Sequence, residues 1–392
     1  MKKIRWLLFL RDVLYLSLTA VGGPNAHLAT ILSLIIKKRQ YITEEEFFEL
    51  QALCQMLPGP TSTQTIVAVG YKLGRAKLAY ITLLVWCMPA VSIMIAAAFL
   101  FKLLPPSTNN FVEFVIPVAV GLVAYSSYTL SSKVITSMRG IAIMLVVIPI
   151  AYFCRSPWLN PILILLGGLI TSFTYKRFGY EAHKKSFDIA WGNFLLFIGV
   201  FVVTLAMGAI TDWRLVKVFQ NFYRSGALVF GGGQVLVPML YTEFVELKSK
   251  ACMTGQEFLA GYAMTQAVPG PVFSFCSYIG VFAMRDNPFY LQVLGGIVAA
   301  AGIFLPGTFL IFFIVRFWDQ LKSYRPVKAS LEGILAVSAA LVLSSALVFL
   351  STIQTNLWFN YTIIIIPIGI MATQKISPAI LVVAAFVLGL LF

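Results

Sequence analysis

The side chains of this chain that are best suited to holding a ligand are neutral hydrogen-bond donors beside glycines and prolines. In the first half, Asn25 follows two glycines and a proline, and Gln55 precedes a Pro-Gly-Pro run that leads into hydroxyl residues. Amides, hydroxyls and the free N–H groups at a helix start donate hydrogen bonds without a formal charge. Such donors let an anion bind and then leave. The first-half candidates for an anion site are Gly22, Gly23, Pro24, Asn25, Gln55, Pro58, Gly59, Pro60, Thr61, Ser62, Thr63 and Gln64.

The second half repeats this pattern with fewer polar residues. The candidates there are Gly231, Gly232, Gly233, Gln234, Gln266, Pro269, Gly270 and Pro271. Mostly apolar residues follow Pro271, whereas residues 61–64 are all polar, so we expect the first half to supply most polar contacts. A packing role, in which the glycines only let helices approach closely, is the alternative. The amide that accompanies each copy favours a binding role.

Glycine and proline also dictate which elements position these donors. Both residues interrupt helices, and within lipid each interruption leaves backbone N–H and C=O groups unpaired at a cost of several kcal/mol. Interruptions therefore persist only where protein, water or a ligand satisfies those groups. Two interruptions in each half, at corresponding places, predict a cavity lined by the ends of broken or re-entrant helices.

Composition assigns the chain to the polytopic membrane proteins. Of the 392 residues, 59% are hydrophobic and 11% are charged, and several apolar runs reach the length of a membrane span. The excess of 29 Lys and Arg over 15 Asp and Glu lies between those runs, which indicates loop charges that orient helices and argues against a nucleic-acid partner. We expect an uncleaved first membrane segment in place of a signal peptide.

Apolar segments number about thirteen, and the second half repeats the first. Equivalent residues are 209 apart at Gly22 and Gly231 and 218 apart at Pro149 and Pro367. We expect a first repeat over residues 1–180, a linker helix over 181–212 and a second repeat over 213–392. Six segments and one linker place the second repeat in the opposite orientation, so the fold prediction is an all-α membrane protein of two inverted-topology repeats with 10 to 13 membrane segments. The apolar runs 141–153 and 357–371 are short for a span.

Loop charges orient the chain. With every segment crossing, 20 of the 29 basic residues fall on the side of the N-terminus. This bias predicts a cytoplasmic N-terminus and an external C-terminus. Folding the glycine-bearing segments back as hairpins changes the count little, so charge leaves open whether those segments span or re-enter.

Four titratable residues are candidates for coupling transport to protons or for neutralising an anion. Glu46 and Glu257 occupy equivalent positions, where a carboxylate can cap a helix start or carry a proton. Arg224 can neutralise an anion or extend its head group to the membrane surface. His27 can titrate during a cycle or serve a structural role.

Catalysis is not expected from this sequence. The chain has two histidines, and its five cysteines (Cys54, Cys87, Cys154, Cys252 and Cys276) lack the spacing of a metal or redox site. An intramembrane enzyme would need a buried nucleophile with its base, or a set of metal ligands. We therefore predict no enzyme activity, no metal and no cofactor.

The four motifs together resemble the chromate ion transporter family in its long form with two fused halves. The first half carries VGGPNAHLA and EEEFFELQALCQMLPGP, and the second carries FGGGQVLVP and EFLAGYAMTQAVPGP, in the same order. The resemblance covers essentially the whole chain. It implies a carrier of the bacterial inner membrane that exports chromate, a tetrahedral dianion, driven by the proton gradient or by the membrane potential.

The resemblance leaves some alternatives open. A carrier or channel for another small anion, such as sulfate, is the second function considered. The expected partners are the inorganic oxyanion and the lipid bilayer, with a homodimer as a further option.

Overall fold

The computed structural model describes residues 6–103, 110–134, 137–154, 156, 159–175, 191–229, 233–315, 324–352, 357–373 and 376–391. Within these ranges the fold is entirely helical, which confirms the all-α part of the fold prediction. The first-half helices are α1 (Trp6–Thr19), α2 (Gly23–Ile31, continued as a π-helix over Leu32–Lys38), α3 (Glu44–Met56), α4 (Thr61–Leu103), α5 (Asn110–Val134), α6 (Met138–Phe153) and α7 (Leu159–Ser172).

A single helix, α8 (Trp191–Ile210), precedes the second set. That set comprises α9 (Arg214–Leu228), α10 (Gly233–Tyr241, continued as a π-helix over Thr242–Glu246), α11 (Gly255–Ala267), α12 (Phe275–Ala283, after a 3-10 turn over Val272–Ser274), α13 (Phe289–Ile314), α14 (Arg325–Thr352), α15 (Leu357–Ala372) and α16 (Pro378–Leu391).

The helix that leads into each Pro-Gly-Pro break starts with a capping box. The Thr43 hydroxyl accepts from the Glu46 N–H, and the Glu46 carboxylate accepts from the Thr43 N–H at 2.9 Å. Thr254 and Glu257 make the same pair of bonds at the start of α11. Each box satisfies two backbone donors that a helix start leaves unpaired. The sequence therefore encodes where α3 and α11 begin.

Contacts near the helix ends favour a hairpin arrangement for the interrupted segments of the first half. Arg39, which follows α2, pairs with Asp12 of α1, with 2.8 Å between Nε and Oδ2. Lys72 of α4 lies 2.6 Å from Glu46 at the start of α3. Each contact thus links the chain after a break to the helix before it, as expected of a hairpin.

Helix α4 is itself a hairpin of two helices, α4a (residues 61–73) and α4b (residues 76–103). The chain reverses at Gly74 and Arg75, where Arg75 takes a positive φ of 57°. Across the reversal, Gly70 packs against Thr82, and the Trp86 indole N–H donates to the Thr63 hydroxyl at 3.1 Å. A larger residue at position 70 would not fit, because a Cβ there would lie 2.6 Å from the Thr82 hydroxyl oxygen.

The second half follows the same plan. Lys250, after α10, donates to the Asn221 side chain of α9 at 2.8 Å, and Arg285, after α12, lies 3.0 Å from Glu257 at the start of α11. Helices α12 and α13 occupy the positions of α4a and α4b, and α14, α15 and α16 follow as α5, α6 and α7 do.

The helices pack as two bundles, each of which draws on both halves. In the first bundle, α13 packs on α9, α12, α4 and α8, and α4 packs on α1 and α12. In the second bundle, α14 packs on α5, α6 and α7, and α5 packs on α15 and α16. In the second bundle the backbones of α7 and α14 approach closely at Gly167 and Gly333. A Cβ added at Gly333 would overlap the Gly167 carbonyl group.

The two interrupted hairpins attach differently to these bundles. Helix α11 packs on α5 and α16, and α10 packs on α14, so the second-half hairpins bridge the bundles. Helices α2 and α3 pack on α4. Among the described residues, α3 makes no comparable contact with α14 or α7, which are the counterparts of α5 and α16. The described fold is therefore closed on one side and more open on the other.

Length and apolarity identify a multi-pass membrane protein. Five described helices are long and apolar enough to cross a bilayer, namely α4, α5, α8, α13 and α14. Helix α8 is apolar on all sides and none of its residues is buried, so it faces lipid. The short runs predicted at 141–153 and 357–371 form helices α6 and α15 of 16 residues each, or roughly 24 Å.

Candidate functional site

The four breaks meet through a reciprocal pair of backbone hydrogen bonds between the halves. The Gly59 N–H, in the first Pro-Gly-Pro run, donates to the Val229 carbonyl at the end of the α9 segment, at 2.8 Å. The Gly270 N–H, in the second run, donates to the Ala20 carbonyl after α1, at 2.9 Å. Gly59 and Gly270 are equivalent in the repeat, and so are Ala20 and Val229. Each half therefore closes a break of the other half.

The first Pro-Gly-Pro break has a tightly packed geometry. Leu57 is extended, Gly59 takes a φ of 120°, and α4a begins at Thr61. The Gln64 amide folds back and donates to the Pro58 carbonyl at 2.6 Å, so it satisfies a group that the break had freed. Its own Oε1 is buried and has no hydrogen-bond partner.

Gly307 of α13 also contacts this break, although motif reasoning did not select it. A Cβ at position 307 would lie 3.1 Å from the Pro58 carbonyl oxygen and 2.5 Å from the Gln64 amide nitrogen. The sequence signal was present, because Gly307 directly follows Pro306, which is the repeat partner of Pro89. Glycine is needed where a helix touches the bent backbone.

A buried polar cluster joins the first two breaks. The His27 ring nitrogen Nδ1 lies 3.4 Å from the Ser62 hydroxyl, and Trp86 donates from its indole nitrogen to Thr63. The His27 and Trp86 rings pack edge to face, with 5.8 Å between their centres. Trp86 belongs to α4b and was not predicted, because only the α4 reversal brings it to the break.

The second-half break is less polar, as the sequence predicts. Gly270 takes a φ of 102° and packs against Ala90 and the Ser17 carbonyl. Phe273 and Phe275 are buried where the first half has the polar residues Ser62 and Gln64. The Ser274 hydroxyl is buried there without a hydrogen-bond partner.

The glycine breaks are described in part. Gly22 and Gly23 take φ values of 106° and 83° ahead of α2, and Gly22 lies against Ser377 and Pro378 at the start of α16. Pro24 and Asn25 are described by their backbone in the first turn of α2. Gly231 and Gly232 fall outside the described residues, whereas Gly233 and Gln234 open α10 and are described by their backbone.

The two glutamines ahead of the proline breaks differ in exposure. Gln55 is exposed on α3, whereas its counterpart Gln266 on α11 is half-buried. This difference follows from packing, because α11 is enclosed by α5 and α16 and α3 is not. Pro58, Pro60 and Pro271 are buried.

The structure places three of the four coupling candidates in ion pairs. Glu46 caps α3 and accepts from Lys72, and this hydrogen bond, with a second from the Thr43 N–H, lowers the pKa of the Glu46 carboxyl. Glu257 caps α11 and pairs with Arg285. Both glutamates therefore cap a helix start, which was the structural alternative to a role in proton transfer.

Arg224 lies inside the protein and does not extend to a surface. It is buried and ion-paired with the buried Glu243, which also accepts from Lys250 at 2.7 Å. A proton-coupling or anion-neutralising role for Arg224, His27 and the two glutamates stays a prediction.

The arrangement suits reversible binding of an anion more than it suits catalysis. Helices α2, α4 and α10 all begin at the breaks, and the first turn of a helix presents N–H groups and the positive end of its dipole. Gly59 and Gly270 no longer offer their own N–H groups, since each donates to a carbonyl of the other half. Among the described residues, no group of three His, Cys, Asp or Glu side chains is placed to hold a metal ion.

The fold and these breaks define a multi-pass membrane protein whose two halves meet at interrupted helices, the class to which secondary transporters belong. Comparison with known protein families gives a match to the family described as "Chromate transporter", over residues 7–173 and again over residues 216–390. The chain belongs to the chromate transporter family, which confirms the resemblance seen in the motifs. Its family is one of transporters and not of enzymes.

The relatives are distant but cover nearly the full length. A probable chromate transport protein of Synechococcus elongatus is 27% identical, over 95% of this chain and 91% of its own length. A chromate transport protein of Cupriavidus metallidurans is 23% identical, over 94% and 88%. An uncharacterized transporter of Methanocaldococcus jannaschii is 24% identical, over 96% and 92%. No solved structure matches the fold.

Proposed function

We propose that this protein carries chromate, or a similar tetrahedral oxyanion, across the membrane by alternating access, with the four breaks as its substrate site. The observation that carries this proposal is the reciprocal bonding of Gly59 to Val229 and of Gly270 to Ala20. Breaks that merely relieved packing strain would not need to meet. Membership in the chromate transporter family, with relatives named for chromate transport, supports the substrate class.

The hairpin contacts support an inverted-repeat topology. If the hairpins re-enter, the first half crosses the bilayer with α4b, α5, α6 and α7, and α8 then carries the chain to the other side. The second half starts there and crosses with α13, α14, α15 and α16. The repeats over residues 1–180 and 213–392, joined by 181–212, are then inverted, with the N-terminus cytoplasmic and the C-terminus outside.

Electrostatics supports an oxyanion that leaves the cell. The breaks offer N–H groups, hydroxyls and amides, and no carboxylate pair that a cation would require. Moving one charge through 100 mV is worth about 2.3 kcal/mol, so an interior-negative membrane drives a dianion outward. Proton coupling would add to this drive, with His27, Glu46, Arg224 and Glu257 as its candidates.

The unequal attachment of the hairpins supports alternating access. In the described structure α11 is docked on the second bundle and α3 is not. Exchange of these roles between the two halves would close the side where Gln55 is exposed and open the side of Gln266. A two-fold repeat provides two states of similar energy for such an exchange.

Everted membrane vesicles that load chromate test the proposal. We expect Asn25→Ala and Gln55→Ala to reduce loading at least tenfold at normal membrane expression, with and without a pH gradient. Gln51→Ala, one turn earlier on the same helix, is the matched control and should transport normally. Normal transport by both site variants would remove the breaks from the substrate path.

Competition with sulfate separates the two substrates considered. Sulfate in excess should leave chromate loading largely intact if chromate is the preferred substrate. Strong competition would favour a general carrier of small oxyanions. A homodimer stays a prediction from the sequence and is not needed for this site.

A further inference from the structure

A cavity lies away from the breaks, at the start of α9. Its volume is about 440 Å³, and three basic side chains, Arg214, Lys217 and Lys250, line it together with Asn221 and Gln220. The C-terminal end of α8 and the loop after the α10 π-helix complete its wall. A tetrahedral oxyanion with part of its hydration shell fits within this volume.

Spacing along α9 explains why the basic residues face one way. Arg214, Lys217, Asn221 and Arg224 are separated by three, four and three residues, so they lie on one face of the helix. This face runs from the cavity toward Val229, which ends the segment at the central break. From Arg214 to Val229 the helix covers roughly 22 Å.

The carboxylates that pair with Arg214 and Lys217 lie at the rim of the cavity, so both cations can still bind a ligand inside it. Arg214 pairs with Asp286 at 3.0 Å and Lys217 pairs with Asp212 at 2.6 Å, but both aspartates are well exposed at the rim. Exposed pairs of this kind are weak and readily exchange partners. Deeper in, the buried carboxylate of Glu243 pairs with both Arg224 and Lys250, so two cations share one carboxylate there.

Within the described residues of α1, the positions equivalent to the cationic face of α9 are not basic, and Arg5, the counterpart of Arg214, lies outside the described residues. The counterparts of Lys217, Asn221 and Arg224 in α1 are Leu8, Asp12 and Tyr15. The Asp12 carboxylate is ion-paired with Arg39 and accepts a hydrogen bond from the Tyr41 hydroxyl at 2.8 Å. The shared fold therefore does not require cations at positions 217 and 224, so their presence in α9 points to a ligand on that side.

We infer that the cavity lined by Arg214, Lys217 and Lys250 is a second binding site for a free tetrahedral oxyanion, at the mouth of the protein on the α9 side. The inference rests on the proposed function only for the chemical class of the ligand. An anion that enters the cavity would displace the exposed aspartates from Arg214 and Lys217. It could then move along the basic face of α9 to the central breaks. The site would thus raise the local substrate concentration on one side of the membrane.

Equilibrium dialysis of chromate against the purified full-length protein in phosphatidylcholine nanodiscs tests the inference. We expect two saturable components per chain in the wild type. Arg214→Gln with Lys217→Gln should remove one component, and Gln55→Ala should remove the other. The control is Lys37→Gln with Lys38→Gln, which deletes two exposed cations from the equivalent hairpin of the first half and should leave both components.

The outcomes separate this site from the proposed substrate site. If Arg214→Gln with Lys217→Gln binds as the wild type does, or if the wild type shows no component sensitive to that change, the cavity site is refuted. If Gln55→Ala removes nothing while the cavity variant removes one component, the cavity holds and the substrate site at the breaks fails. Loss of the cavity component in phosphatidylglycerol nanodiscs would assign the cavity to a lipid phosphate and overturn the free-anion assignment.

Discussion

Replacing Gly59 by alanine tests the geometry of the central break most directly. Gly59 takes a φ of 120°, a conformation that side chains with a Cβ rarely adopt. A Cβ there would lie 2.7 Å from the Gln64 amide nitrogen, which is held by its 2.6 Å bond to the Pro58 carbonyl. Gly59→Ala should therefore strain the backbone and displace Gln64 together.

The size of the effect follows from these two costs. Positive φ in a residue with a Cβ costs about 1–2 kcal/mol. Loss of the Gln64 bond leaves the Pro58 carbonyl buried and unpaired, at about 1–3 kcal/mol. Gly59→Ala should lower the free energy of unfolding by about 2–5 kcal/mol in total, and transport should fall with it because the break no longer holds its shape.

Thermal unfolding in detergent and chromate loading of vesicles measure the two consequences. Gly23→Ala separates the costs, because Gly23 also has a positive φ of 83° but an added Cβ there meets no atom within 4 Å. Gly23→Ala should therefore lower the free energy of unfolding only by the cost of the positive φ. Gly199→Ala on α8, which meets open space without positive φ, should be neutral or slightly stabilising.

A double variant checks whether the Gln64 amide is the group that an added Cβ at position 59 would clash with. In a Gln64→Ala background the Cβ at position 59 meets no amide, so Gly59→Ala should then cost only its backbone strain. An unchanged cost in that background, or a Gly59→Ala protein as stable as Gly199→Ala, would refute the break geometry.

Three further outcomes are expected. Glu243→Gln should lower the free energy of unfolding by about 3–5 kcal/mol, measured by thermal unfolding, since it removes the buried carboxylate that Arg224 and Lys250 share. The exposed Asp212→Asn should change the free energy of unfolding little. Thr254→Ala should cost about 1 kcal/mol in the same assay through loss of the α11 cap, and full stability would contradict the capping box. Ser62→Ala should reduce chromate loading more than Ser274→Ala does, because the polar cluster lies in the first half, and equal effects would contradict that asymmetry.

Local chemistry made much of this protein readable in its sequence. The membrane class follows from apolar runs, the duplication follows from equal spacing of Gly and Pro, and the positions of the breaks follow from the backbone restrictions of those residues. The starts of α3 and α11 follow from Thr43 with Glu46 and from Thr254 with Glu257. Each of these properties depends on neighbours within a few residues, so no tertiary information is required.

Long-range packing decided the rest. Charge counts left the choice between spans and hairpins open, and the contacts of Asp12 with Arg39 and of Asn221 with Lys250 favour hairpins. Motif reasoning also missed Trp86 and Gly307, because a helix reversal and a crossing helix bring them to the break. Their roles come from the three-dimensional path of the chain.

The sequence by itself therefore determined which segments are interrupted, and tertiary structure alone decided how the interruptions meet. Nothing within a few residues of Gly59 specifies that its N–H will donate to Val229, 170 positions further along the chain. That bond forms because two apolar bundles, each assembled from both halves, place the broken ends side by side. Backbone groups freed by a break must find partners away from water, and only the assembled fold supplies them.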